Sequence, residues 1–202
     1  MKVCNVVGTE SHEKKKLMNL TIEHTLCAKL ALAITQKPRA NLQQLASMVG
    51  VSKATLYRIA PTRELLIDLL HCRAEHHVRE SLSIADLTTI FEIESLNRLI
   101  RLILTDKELY LFWALTLWMD LGTGKEFSLT GYNPSFLTQA LEKFFLEGQQ
   151  KGVFRVDVPA TWLAKSLDYL LYAAAESAQR GEIASLSAPD LVEKLFSHGA
   201  LK

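Results

Sequence analysis

The chain has 202 residues, a formal net charge of +1, 49% hydrophobic residues and 22% charged ones. That length suits one domain, or one with a small appendage, and that composition supports a sizeable core, which excludes a disordered chain. The charge is unevenly spread: residues 1–63 hold ten Lys/Arg against three acids, a net of +7, and the remainder carries a net of −6. A basic first third on an acidic body fits a polyanion partner for that third, or a solvated basic face; charge alone does not choose between them.

Three cysteines, Cys4, Cys27 and Cys72, show no CxxC spacing. Reduced thiols and a cytoplasmic location are expected from this pattern. The first residues, MKVCNVVGTESHEKKK, contain no apolar signal-peptide region, so none is expected. The most apolar stretch, 109–119, is too short to cross a bilayer.

In chain order, apolar residues at three- and four-residue steps predict helices near 12–35, 41–48, 52–59, 62–82, 86–104, 106–121, 134–150, 160–180 and 189–198. No segment sustains a period of two, so the class expected is all-α. Between Thr62 and Leu121 there is neither Gly nor Pro, as long helices require. Asn41, Ser52, Thr62, Asp106 and Thr161 are the short polar residues placed to cap helix starts. The boundary between an N-terminal unit, 1–63, and the rest, 64–202, falls at the helix that starts near Thr62.

The stretch SMVGVSKATLYR, 47–58, carries a lone glycine in an apolar run, followed at once by polar side chains. Two short helices meeting at a steep angle need a small residue at the crossing, a residue free to take positive φ in the turn, and apolar inner faces. Ala46, Gly50, and Leu45, Val49, Val51, Leu56 and Ile59 fill those places. Ser52 then caps the second helix, and Lys53, Ala54, Thr55, Tyr57 and Arg58 face outward. This is the pattern of a helix-turn-helix that presents its second helix to a DNA groove. A plain helical corner is the competing reading, and the basic charge of the same segment weighs against it.

The segment LQQLASMVGVSKATLYRIAPTRELLIDLL, 42–70, resembles the TetR family of transcriptional regulators. Gly50, Val51, Ser52, Leu56, Tyr57, Pro61 and Leu66 match the family pattern as they stand. Two positions depart: Ala60 stands where the family usually has Phe, and Arg63 where it usually has Lys. The resemblance implies a tetracycline-repressor-like fold, a three-helix DNA-binding domain joined to a C-terminal helical bundle. By resemblance, Ser52, Lys53, Thr55, Tyr57 and Arg58 form the DNA-contacting set, with Arg39, Asn41 and Arg63 beside them. Thr55 and Lys53 suit base edges; Ser52, Tyr57, Arg39 and Arg63 suit phosphates, which position without specifying. Glu13–Lys16 forms either a phosphate-seeking arm or a frayed terminus.

In LYLFWALTLWM, 109–119, no residue is charged and apolar side chains point all round, so the helix is expected at the centre of the C-terminal bundle. Tyr110, Trp113, Thr116 and Trp118 are the candidate effector-site residues, with Thr116 and Asp120 as polar handles; plain core packing is the competing account. The implied effector is mostly apolar, neutral or cationic. The stripes at 136–145 and 162–178 include Phe144, Leu167, Leu170, Leu171, Ala174 and Ala178, and are candidates for a homodimer interface or for intramolecular core.

HCRAEHH, 71–77, places Cys72 and His76 one turn apart, and likewise His71 and Glu75. The two pairs diverge by about 100° around the helix, so no metal is expected, and no cofactor. No nucleophile elbow, HExxH or phosphate-cradling loop occurs, and an enzyme is not expected. The reading favoured by these features is a ligand-responsive, homodimeric transcriptional repressor. An effector-free nucleoid-associated protein of the same fold, or a helical adaptor without DNA binding, are the alternatives.

Overall fold

The computed structural model describes residues 23–87, 91–118 and 136–201. Among the described residues there are nine α-helices and no strand beyond one isolated bridge, Phe154 to Leu201. They are α1 (His24–Gln36), α2 (Leu42–Val49), α3 (Lys53–Ile59), α4 (Arg63–Ala85), α5 (Ile93–Thr105), α6 (Lys107–Trp118), α7 (Phe136–Gln150), α8 (Ala160–Arg180) and α9 (Ala188–Ala200). The expected first helix began at 12; its part before residue 23, including Glu13–Lys16, lies outside the described residues.

Local chemistry sets the early helix ends. Asn41 and Gln44 form a reciprocal capping box at the start of α2, each side chain accepting the other's amide at 2.9 Å. Gly50 closes α2 at φ 75°, in the left-handed region, where a Cβ would meet no atom within 4 Å. Its role is therefore conformational freedom and not close approach. Ser52 caps α3 by accepting the Thr55 amide at 3.0 Å, and Thr62 caps α4 by accepting the Leu65 amide at 3.2 Å.

Two expected boundaries move. The long helix α4 continues to Ala85, and the next helix starts at Ile93, not near 86. Asp86, read from sequence as the start of a helix, instead ends one, with φ 53°; Asp is among the few non-Gly residues that enter this region readily. Two expected caps differ. Pro159 stands at the N-cap of α8 and the Thr161 hydroxyl donates to Glu142 at 2.7 Å. Asp106 does stand at the start of α6, but its carboxylate meets two histidines.

Among the described residues the core forms one cluster. In the N-terminal unit Leu30, Ile34, Leu45, Ala46 and Leu56 are its centre, joined by Leu66 from the start of α4. At 23 residues, α4 is about 35 Å long and passes from that unit into the bundle. There α6 is the axis: it packs on α1, α4 and α8, and Leu109 through Ala114 are buried in succession. A helix with neighbours on every side needs that uniform apolar sequence. α7 pairs with α8, and α9 covers α8 and α5.

Candidate functional site

The outward side of α3 carries exposed Lys53, Ala54, Tyr57 and Arg58. Lys53 leans along the helix, its Nζ 5.4 Å from the centre of the Tyr57 ring. Arg39, exposed, lies in the loop between α1 and α2. The exposed residues of α3 thus make a basic and aromatic helix face. Four other residues of the expected DNA-contacting set already have structural partners. Asn41 is held in its capping box. Ser52 Oγ lies 2.8 Å from Thr55 Oγ1 besides accepting the Thr55 amide, so the two hydroxyls hold each other. Arg63 differs most from expectation. Its Nε donates to the Ala40 carbonyl at 3.1 Å, and its Nη2 to the Pro38 carbonyl. The half-buried guanidinium thus straps the start of α4 to the loop before α2. Ala60, at the end of α3, is also buried.

In the bundle, Tyr110 and Trp113 are both buried on α6. The Tyr110 hydroxyl lies 2.7 Å from Asp168 Oδ1 and 3.0 Å from the Asp168 carbonyl. Burial, and then the neighbouring Asp168, push the Tyr110 phenol well above its ordinary range. Burial also raises the Asp168 carboxyl, against the opposing hydrogen bond from Tyr110. Sequence spacing could not have revealed this pair, whose members are 58 positions apart. Trp113 stacks obliquely on Phe136, with ring centres 5.4 Å apart, and the Arg79 guanidinium covers the same Phe136 ring at 3.9 Å. The Thr116 hydroxyl donates to the Trp113 carbonyl at 2.6 Å and is spent within its own helix. The Trp118 side chain and Asp120 lie outside the described residues.

Among the described residues no group of three or more His, Cys, Asp or Glu is arranged to hold a metal ion. His71 and His76 face Glu75 and Glu80 along α4, at 4.0 and 3.7 Å.

No family model matches the chain. It is 37% identical to the HTH-type transcriptional regulator NfxB of Pseudomonas aeruginosa over 182 residues, which span 88% of this chain and 94% of that protein. The chain belongs to the TetR family of transcriptional regulators. Solved TetR-like structures share the fold at lower identity. The MbdR regulator of Azoarcus sp. CIB is 15% identical with a TM-score of 0.62, covering 94% of this chain and all of that one. LfrR of Mycobacterium smegmatis, in complex with proflavine, is 17% identical with a TM-score of 0.58, covering 96% of this chain and 99% of that one. As a TetR-family member, this protein is a DNA-binding transcriptional regulator and not an enzyme.

Within this TetR-family fold the residues assigned from sequence to a dimer interface sit mostly inside one protomer. Phe144, Leu167 and Leu171 are fully buried, Ala174 and Ala178 nearly so, and Leu170 is half-buried. Phe144 belongs to an aromatic cluster with Phe91, Phe145 and Phe154. Exposed apolar and aromatic side chains lie elsewhere. On α8, Trp162 is 63% exposed and Tyr169 57%; on α9, Leu195 is 65% exposed, with Leu191 one turn before it. On the other flank of α9, Glu193 meets Arg101 of α5 at 2.8 Å, which leaves Leu191 and Leu195 on the side toward α8. The signal for this face was present in the sequence as Trp162 and Tyr169 seven residues apart. The buried stripe on the opposite side of α8 outweighed it.

Proposed function

We propose that this TetR-family protein is a homodimeric repressor that a small molecule releases from its operator. The N-terminal unit, 1–63, binds DNA, and the remainder, 64–202, dimerises and takes the effector. The observation that carries the reading is the pairing of an exposed Lys53–Tyr57–Arg58 surface with a buried α6 that touches α1, α4 and α8 at once. A change at α6 has a direct packed route to the helices that position α3. Effector binding then favours an arrangement whose recognition helices no longer match successive major grooves.

Phosphate contact falls to Arg39, Tyr57 and Arg58, and base edges are read from Lys53, Ala54 and Thr55. Dimerisation uses the outward faces of α8 and α9, with Trp162, Tyr169, Leu191 and Leu195 at its centre and Leu170 at its edge. Large apolar side chains left in water on two adjacent helices support that assignment. For the effector, Tyr110 and Asp168 are the polar pair beside Trp113, and a carboxylate there suits a cationic or neutral molecule better than an anion. The proflavine complex of LfrR supports an aromatic, cationic class.

The test is fluorescence anisotropy of the full chain with the DNA upstream of its own reading frame, with and without proflavine. Tight, salt-sensitive binding that proflavine weakens supports the reading. Binding that no apolar or cationic compound alters supports the effector-free alternative, and no binding supports the adaptor.

A further inference from the structure

The seam between the N-terminal unit and the bundle is polar at one corner. Asp106, between α5 and α6, faces two imidazoles from different helices. His24 of α1 brings Nε2 to 3.1 Å from both carboxylate oxygens. His77 of α4 brings Nδ1 to 3.6 Å from Oδ2. The other His77 nitrogen, Nε2, lies 3.2 Å from the Ile103 carbonyl oxygen. A carboxylate and a carbonyl only accept hydrogen bonds. A neutral imidazole has one N–H, so it fills one of these contacts and turns a lone pair toward the other. An imidazolium has an N–H on each nitrogen and fills both. The His77 side chain is 13% exposed, so little water reaches an unfilled contact there; that of His24 is 66% exposed.

Other charged or titratable groups stand around the corner. From α1, the Cys27 thiol is pushed up to about 11, first by burial, with Arg73 opposing and Asp106 adding, so it stays neutral. Arg73 comes from α4. Lys107 and Glu108, which open α6, pair with each other at 3.0 Å. Arg101 of α5 turns to Asp190 and Glu193 of α9. Asp106 is also the residue from which α6 starts: its backbone oxygen accepts the Leu109 and Tyr110 amides at 3.0 and 3.1 Å. A shift of α6 at Tyr110 therefore moves the carboxylate that α1 and α4 share.

We propose that His77, Asp106 and His24 form a proton-operated latch between the DNA-binding end and the regulatory bundle. With both imidazoles protonated, two cations hold one carboxylate, and α1, α4 and the α5–α6 corner are tied together. With neutral imidazoles the tie is looser, and α1 moves more freely against α6. Operator affinity becomes a function of pH as well as of effector. This inference rests on the operator-binding reading above, and its test separates the two.

Operator affinity of the full chain is measured near pH 6 and near pH 8 at constant ionic strength, the interval over which histidine changes charge. A part-exposed ion pair shifts an equilibrium by roughly threefold, and the unmodified protein is expected to show at least about that ratio between the two conditions. His77→Gln and Asp106→Asn are expected to remove most of it. His24→Gln, at an exposed position that leaves the fold undisturbed, is expected to remove part. Equal ratios in the unmodified protein and in all three variants, or a flat response in the unmodified protein, overturn the proposal. A second arm needs no DNA: urea unfolding of the His77→Gln, Asp106→Asn and double variants at both pH values. Coupling between the two positions near pH 6 that vanishes near pH 8 is the expected result, and its absence near pH 6 removes the latch. Coupling with pH-independent operator affinity overturns the link to the DNA-binding end. Coupling with no operator binding at any pH refutes the operator-binding reading and leaves the latch standing.

Discussion

At the residue scale, Asp168 is the acid whose burial has the clearest consequence. Its carboxyl is raised by desolvation, and the Tyr110 hydroxyl offsets only part of this. A carboxyl raised in the folded state binds its proton more tightly there than in the unfolded chain, so folding stability increases as the pH falls toward the carboxylate range and decreases above it. Asp168→Asn keeps a polar group beside Tyr110 and removes the charge. It is expected to be at least as stable as the unmodified protein near neutral pH, by urea unfolding, with its advantage shrinking as the pH approaches about 4. A clear loss of stability at neutral pH would show the carboxylate to be a net stabiliser. On α3, Tyr57 and Thr55 separate two jobs. Tyr57 is exposed, whereas Thr55 is half-buried with its hydroxyl on Ser52. Tyr57→Ala is expected to weaken binding to all DNA sequences, and Thr55→Ala to change which sequence is preferred, by ~1–3 kcal/mol at the position it reads. Binding-site selection with both variants checks this, and an unchanged preference for Thr55→Ala removes Thr55 from base readout.

At the scale of single elements, α7 depends on a glycine for which local sequence gives no reason. A Cβ at Gly148 would lie 2.4 Å from Phe154 Cδ2 and 2.6 Å from Phe91 Cζ. Neither ring has room to retreat: Phe154 packs edge-on to Phe145 at 4.9 Å, and Phe91 stacks on Phe144 at 4.7 Å. Gly148→Ala gains helix propensity of up to about 1 kcal/mol and meets overpacking of typically ~1–3 kcal/mol. The net expectation is destabilisation, read as a lowered Tm, whereas Gly199→Ala, with open space around it, should be neutral or stabilising. Equal effects at the two sites would mean that the ring cluster is looser than its spacing indicates. By contrast, the start of α4 is held by two devices, the Thr62 cap and the Arg63 strap. That redundancy suits an element that joins the DNA-binding unit to the bundle.

At the scale of the whole molecule, the proposed dimer turns on the outward faces of α8 and α9, where Trp162 and Leu195 are exposed. A homodimer at micromolar concentration is expected by light scattering. Trp162→Glu with Leu195→Glu would place charges in the interface at a cost of several kcal/mol, giving a folded monomer that binds operator poorly because one half-site carries too few contacts. Phe144→Ala should instead lower stability by ~3–5 kcal/mol, as for a buried core aromatic, without a specific effect on assembly. A monomeric unmodified protein would remove both the interface and the two-half-site mechanism.

What the sequence determined by itself rests on residues within about four positions of one another. Asn41, Ser52 and Thr62 cap helices because a short side chain reaches the amide three residues on. Gly50 makes the corner because only its backbone takes φ 75° without strain. The α6 segment is buried because it offers no polar face. Tertiary structure decided the rest, because an apolar stripe states that a face is covered and not by what. Phe144, Leu167 and Leu171 were as consistent with a partner as with their own core, and that core took them: Phe144 packs with Phe91, Phe145 and Phe154, and Leu167 and Leu171 are buried on α8, which packs on α6, α7 and α9. Asp106 and Thr161 looked like caps, but His24, His77 and Glu142, brought in from up to 82 positions away, offered their side chains other partners. Arg63 read as a surface cation until the fold laid the Pro38 and Ala40 carbonyls beside it. Long polar side chains go to whichever acceptor the packing brings within reach, and that choice is made only when distant helices meet.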